Sequence, residues 1–336
     1  MELPPIERAV THGVWPQGCC RGGGTWSKAQ LPPAHATGSG PRFRALIGAL
    51  AGTYGNGRRM GQPFGASVLR VPLSLGALQK VRDRVTQALA PHSEAMALHA
   101  RRAPVNYIDA TAWFLTHPLQ GLWVRASDPV AFSLLHPHRS QEAFAALLDD
   151  WEGLLVSAGY GVYPSWVQAR QTCLAHLLRT ARGLAARLQP DLAAWGAWAM
   201  AELHRLCPMA KAPPTGGEWR AWYARLGKLS EPYHDRQSDA GRCARRLRRE
   251  RDSLWVFVIQ CGVEPTNHRA EQALRFGGLW RKRSHGTASP KGNRWVERIL
   301  SRKETCRRQA RSPYTVLVDA VTSLFHGQQP ALSWLN

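Results

Sequence analysis

The chain is short of acid. Its 336 residues carry 23 Asp and Glu against 44 Lys and Arg, a formal net charge of +21. A deficit on that scale favours a polyanionic partner, usually nucleic acid. Arginine supplies most of the cations, and its planar fork suits bidentate phosphate contact. Long apolar runs are also missing. None approaches the roughly 20 residues that span a bilayer, and no charged-then-apolar leader opens the chain, so the expected location is the cytoplasm and no membrane contact is expected. Cysteines number 7, an odd count without framework spacing, which fits free thiols in a reducing compartment. There is no Walker loop, no G-x-G-x-x-G after a strand and no G-x-S-x-G. These absences argue against P-loop, dinucleotide and α/β-hydrolase chemistry. No internal repeat or long heptad run is present.

What is present is enough apolar sequence for a core: 44% of residues are hydrophobic. Residues 1–41 are rich in Gly, Pro and His and read as irregular. From Phe43 the pattern turns helical, in FRALIGALAG and then LSLGALQKVRDRVTQALA. Short helices with a turn between them are compatible with a helix-turn-helix. VNYIDATAWFL, GLWVRAS and AFSLLHP then read as three strands of a meander. SQEAFAALLDDWE carries Phe144, Leu147, Leu148 and Trp151 at helical spacing, with Ser140 or Gln141 at its start. LLVS is a short buried strand, and QTCLAHLLRTARGLAARL a strand end running into a helix. This alternation predicts a mixed α/β fold. Residues 184–250 read as helix, and RCARRLRRERDSLWVFVIQC as one basic helix that becomes apolar. A further helix begins near Asn267, and a long basic helix follows a Gly/Ser-rich loop.

Few of these residues suggest chemistry. Asp109 sits among strand-forming residues, where aspartate is depleted, and an unpaired buried carboxylate costs several kcal/mol. It is either exposed at an edge or compensated by a metal, a cation or hydrogen bonds. Glu271 lies a turn inside a helix that Thr266 or Asn267 could cap; a surface pair with Arg275 explains it equally well. Arg281, Lys282 and Arg283 precede the Gly/Ser loop, which contains Lys291. Arg294, Arg298 and Arg302 recur every four residues, one stripe of a helix that suits a phosphate backbone. Arg245, Arg248 and Arg249 belong to the densest basic cluster, a contact without sequence information. Cys173 and His176 would need further ligands to hold a metal, and none is visible nearby in the sequence. The predicted His176 is a packed histidine at a helix start. Cys19, Cys20, His12 and His35 lack zinc-site spacing.

Taken together, GVEPTNHRAEQALRFGGLWRKRSHGTASPKGNRWVERILSRKETCRRQ resembles the C-terminal signature of bacterial transposases of insertion-sequence family sixty-six. YIDATAW resembles that family's D-E-T-x-W strand, LLVSAGYGVY its V-S-D-G-Y-x-x-Y strand, and QTCLAHLLRTAR its C-x-A-H-x-x-R helix. The likeness spans about residues 35–335. It implies a ribonuclease-H-like core of the DDE type, interrupted by a helical insertion. It implies three acidic residues and two divalent ions, usually Mg²⁺, that cut and join double-stranded DNA at transposon ends. A homo-oligomer is a further possibility under it. On the motifs, Asp109 is the first acid and metal ligand and Glu271 the last.

The resemblance divides the chain into an irregular segment 1–41, a helical segment 42–103 that is a candidate for DNA binding, core 104–183, insertion 184–250, core completion 251–290 and basic helices 291–336. It also exposes departures. Ala158 stands where the second acid belongs, Ala110 where a glutamate follows the first, and His268 and Gln272 where the family has Asn and Arg. A zinc-binding pattern ahead of the core is missing, so the chain reads as truncated at its front. Asp149 and Asp150 fall at the end of the preceding helix, too far away to substitute for the missing acid. Two expectations follow: a transposase with impaired catalysis, or a catalytically inactive DNA-binding remnant.

Overall fold

The computed structural model describes all residues except 3–5, 32–37, 117–118, 167 and 336. In chain order the strands and helices are β1 (Gln17–Cys19), β2 (Trp26–Lys28), α1 (Pro41–Gly48), α2 (Arg58–Ser67), α3 (Leu75–Ala88), α4 (Ala90–Arg102), β3 (Val105–Phe114), β4 (Leu119–Ala126), β5 (Ala131–His136), α5 (Gln141–Leu148), β6 (Leu154–Ser157), β7 (Arg170–Thr172), α6 (Leu174–Ala185), α7 (Pro190–His204), α8 (Leu206–Met209), α9 (Gly216–Ser230), α10 (Asp239–Arg249), α11 (Val256–Ile259), α12 (His268–Ser284), α13 (Pro290–Arg308) and α14 (Pro313–His326). They form two compact units, Met1–Leu98 with Trp280–Asn336, and His99–Leu279.

The second unit holds a five-stranded mixed sheet in the order β5-β4-β3-β6-β7. The expected meander is there: β3, β4 and β5 are antiparallel neighbours. β6 and β7 run parallel to β3. All four residues of β6, LLVS, are buried, as a strand inside a parallel pair requires. α5 begins where Ser140 Oγ accepts the Ala143 amide at 3.3 Å, which is ordinary N-capping. Its apolar stripe, Phe144, Leu147 and Leu148, packs with Ile108, Trp123, Trp151, Leu155 and Tyr163 into one cluster.

The end of α5 is held by a buried cation. Arg125 Nη1 donates to the carbonyls of Leu147 at 3.3 Å and Leu148 at 3.2 Å, and Nη2 to Ala100 at 2.9 Å. Its guanidinium lies 4.7 Å over the Trp151 ring. Burial lowers the Arg125 pKa to about 9, so the group stays charged at neutral pH and serves the helix carbonyls.

The tryptophan-rich segment packs as helices α7, α9 and α10 against α6 and one another. At Gly196 a Cβ would lie 2.3 Å from the Ala185 amide nitrogen, so glycine lets α7 cross α6 at backbone distance. Trp195 Nε1 donates to the Leu229 carbonyl at 2.8 Å and Trp222 Nε1 to Glu202 at 3.1 Å. The ring bodies thereby fill core while their polar tips are satisfied.

One expectation fails here. The basic helix does not run on into the apolar segment but ends at Glu250, followed by two short turns and α11. Glu250 is buried between Arg246 at 3.3 Å and Arg249 at 3.0 Å. Gln171 of β7 then holds the start of α11: its Nε2 donates to the Leu254 carbonyl at 3.2 Å and its Oε1 accepts the Phe257 amide at 3.0 Å. These pairings fix the bend, and periodicity along the chain carries no trace of them.

Among its described residues the first unit is helical from Pro41 on and carries a small hairpin ahead of that. β1 and β2 pair antiparallel, Cys19 opposite Trp26, within the stretch expected to be irregular. Both strands are fully exposed. Cys19 and Cys20 are free and exposed; His35 lies outside the described residues. α1 continues into a π-helical turn at Ala49–Thr53, and α3, α13 and α14 pack around it. Val81, Val85, Trp295, Ile299 and Leu317 are buried. Ser74, Ser289 and Ser312 cap α3, α13 and α14. Among the described residues no helix is long and apolar enough to cross a membrane.

Candidate active site

The carboxyl ends of parallel strands are where open α/β sheets gather functional groups. β3 and β6 pair with Ile108 opposite Ser157. Asp109 follows Ile108 and Ala158 follows Ser157, so the two occupy corresponding positions on neighbouring strands. The alanine is 8% exposed. Asp149 sits outside this arrangement, at the C-cap of α5 and paired with Arg101 at 2.9 Å.

Glu271 reaches the same region through α12. The EPTN segment before that helix is tied down at both ends. Leu174 N donates to the Pro265 carbonyl at 2.9 Å. Asn267, fully buried, donates from Nδ2 to the carbonyl of Ile108 at 2.9 Å and from its backbone N to Cys173 Sγ at 3.2 Å. The sequence suggested Asn267 only as a helix cap; its side chain binds the backbone that carries Asp109. One turn later Glu271 Oε1 lies 3.4 Å from His176 Nδ1. His176 Nδ1 is in turn 3.2 Å from Cys173 Sγ.

His176 sits in the first turn of α6, as expected, but with a partner the sequence did not suggest. Cys173, His176 and Glu271 bring one ligand atom each within 4.8 Å of one another. The sequence held half of this signal, the C-x-x-H spacing at a helix start. The missing partner arrives from a helix almost a hundred residues later.

The electrostatics follow from burial. Asp109 is pushed up to about 6, first by desolvation, and also by the charge of Glu271. The Ala110 amide, 2.8 Å from Oδ1, and the Arg139 charge oppose that rise without cancelling it. Burial pushes the Tyr163 hydroxyl and the Cys173 thiol up as well. His176 is lowered, chiefly by desolvation and also by Arg179 and Arg246, against the pull of Glu271. Arg246 comes close to the turn after β6: a Cβ at Gly159 would lie 2.2 Å from its Cζ. The guanidinium thus stands against the residue that follows Ala158, with Glu250 behind it.

A sequence model of the transposase IS66 family matches residues 59–294. The chain belongs to this transposase family. Among curated proteins no relative matches it. The family's chemistry generally uses a divalent metal, and paired ions need several converging carboxylates. In this transposase-family chain the charge of Glu271 reaches Asp109, Ala158 offers no donor atom, and the Arg246 guanidinium stands against Gly159. Two carboxylates are fewer than a pair of divalent ions needs.

The basic residues separate into exposed and structural groups. Lys282, Arg283, Lys291, Arg294, Arg248 and Arg249 are exposed, and Arg281 is half-buried. Lys291 pairs with Asp83 at 2.8 Å and Arg294 with Glu297 at 3.6 Å. The predicted stripe on α13 does not hold as one phosphate face. Arg302 is wholly buried and donates to Thr53 Oγ1 and the Pro313 carbonyl. Arg298 is half-buried, with Nη1 donating to the Thr86 carbonyl at 2.7 Å at the end of α3. Arg245 is likewise half-buried and donates to the carbonyls of His234 at 2.7 Å and Arg236 at 3.0 Å. A four-residue spacing on a two-sided helix in a compact unit sends some of these cations inward, and there they satisfy carbonyls.

Proposed function

We propose that this chain is a DNA-binding transposase whose cutting and joining of transposon ends is impaired at Ala158. The family assignment supports the reaction class, metal-assisted phosphoryl transfer on double-stranded DNA, with Mg²⁺ as the natural ion. A mixed sheet whose central strand carries Asp109 supports a ribonuclease-H-like core. The net charge of +21 supports a polyanionic partner. Exposed Lys282, Arg283 and Arg248, with the exposed but ion-paired Lys291, Arg294 and Arg249, are the groups that would meet phosphates. Asp109 and Glu271 remain the acids of the site, and Asn267 positions the strand beneath the first of them.

The observation that carries the impairment is the register of β3 and β6: Ile108 lies opposite Ser157, so Asp109 and Ala158 are the next residues along each chain. Losing one of three carboxylates removes most of the affinity for at least one ion. The Arg246 guanidinium against Gly159 favours the stronger reading, an inactive DNA-binding remnant, because it sets a cation, paired with Glu250, beside the residue that follows Ala158.

Strand cleavage and joining of end-containing DNA, with Mg²⁺ or Mn²⁺, tests both readings on the unmodified chain and on Ala158→Asp. Weak cleavage rising at least tenfold in Ala158→Asp supports an impaired transposase. No cleavage by either, with tight salt-sensitive binding, supports the remnant. Robust cleavage by the unmodified chain overturns both.

A further inference from the structure

We propose that Cys173, His176 and Glu271 form a site for a thiophilic divalent ion, Zn²⁺ by its chemistry, with solvent completing the coordination. A thiolate, an imidazole and a carboxylate are a zinc donor set, whereas hard ions such as Mg²⁺ avoid sulfur. The geometry agrees. A tetrahedral ion with Zn–S about 2.3 Å and Zn–N and Zn–O about 2.0–2.1 Å has edges of about 3.6 Å from S to N and about 3.4 Å from N to O. The corresponding separations here are 3.2 Å and 3.4 Å, and the S to O separation is within 4.8 Å. Small movements along Cys–Cβ or Glu–Cγ bring all three to bonding distance.

The surroundings also fit. Cys173 is fully buried on the strand-to-helix junction and His176 one turn into α6, so two ligands come from one rigid turn. The Asn267 amide donates to the sulfur at 3.2 Å, which stabilises a thiolate in the way outer-shell donors do. Glu271 Oε1 is buried and, apart from the ion-pair approach of His176, has no hydrogen-bond partner. His176 and Glu271 side chains are 29% and 32% exposed, leaving a path for the ion and a fourth position for water. Binding exchanges the Cys173 S–H bond for an S–metal bond and releases one proton to solvent. A nucleophilic role for this thiol does not fit: it is buried, and burial disfavours the thiolate. The site shares Glu271 with the acids of the proposed strand-cutting centre but requires neither Asp109 nor an acid at 158, so loss of strand cutting and loss of this site are read separately.

Cobalt(II) titration of the full chain tests it, with the exposed cysteines Cys19, Cys20, Cys207 and Cys261 changed to serine. The expected result is a thiolate-to-cobalt charge-transfer band that saturates at one equivalent and is displaced by Zn²⁺. Asp109→Asn should keep the band. Cys173→Ser should abolish it, and His176→Ala, at a partly exposed position, should weaken binding at least tenfold while the thermal melt stays cooperative. Absence of the band from the starting protein, or its survival in Cys173→Ser, overturns the site. Loss of the band in Asp109→Asn with retention in His176→Ala also overturns it, because Asp109 and not the imidazole then completes the sulfur-bound ion's ligands.

Discussion

Asn267 Nδ2 donates to the carbonyl of Ile108 at 2.9 Å, joining residues 159 apart in sequence. That bond holds the start of α12, and with it Glu271, against the strand that presents Asp109. Both partners are buried, so Asn267→Ala leaves the Ile108 carbonyl unsatisfied. The expected cost is about 1–3 kcal/mol, read by urea denaturation. A loss below about 0.5 kcal/mol would mean that the loop is held by its backbone contacts alone.

Asp109 should make the protein less stable as pH rises. Its carboxyl is raised from 3.8 to about 6 in the fold. Between those values the folded state binds more protons than the unfolded one, so stability falls across that window and stays lowered above it. Asp109→Asn should therefore stabilise the metal-free protein at pH 7.5, by about 3 kcal/mol at most. The gain should vanish near pH 3.5. Denaturant midpoints across pH 3.5–7.5 measure this, and equal gains at both ends would place the effect outside the ionisation of Asp109.

The α13 arginines should separate by role. Arg294 is exposed, so Arg294→Ala should change stability by no more than about 0.5 kcal/mol. If it meets a phosphate, it should lower the slope of log K against log salt by about 0.9. Arg302→Ala empties a buried site and strands the Thr53 and Pro313 acceptors, costing about 3 kcal/mol. Anisotropy titrations in graded KCl, paired with thermal melts, separate the two. A salt slope changed by Arg302→Ala without loss of stability would contradict its buried position.

Gly159 and Arg246 should be coupled. A methyl group at 159 displaces the guanidinium from the turn and weakens its pairing with buried Glu250. Gly159→Ala should cost about 1–2 kcal/mol in the natural background and close to nothing once Arg246 is alanine. A double-mutant cycle by chemical denaturation reads the interaction directly. Equal costs in both backgrounds would place the strain in the backbone of the turn.

Much of this molecule is legible along the chain because the relevant physics is local. The strand alternation of residues 105–136, the Ser140 cap, the buried LLVS strand and the strand-to-helix passage at Cys173 each depend on a few adjacent residues. The motifs likewise single out Asp109, Ala158 and Glu271, and composition alone dictates the excess of positive charge. Other features depend on partners far away in sequence. Arg302 and Arg298 look like members of an exposed stripe, yet buried carbonyls and a threonine from other helices draw them inward. The helix that should run past Glu250 gives way to a bend whose far side, at Leu254 and Phe257, Gln171 holds. Cys173 and His176 look like an incomplete pair until α12 brings Glu271 to within 3.4 Å of the imidazole. Sequence determined which side chains are available and which short elements they form; the bonds that tie Asn267 to Ile108 and Cys173 decided which of them meet, because desolvation and hydrogen bonding act through space.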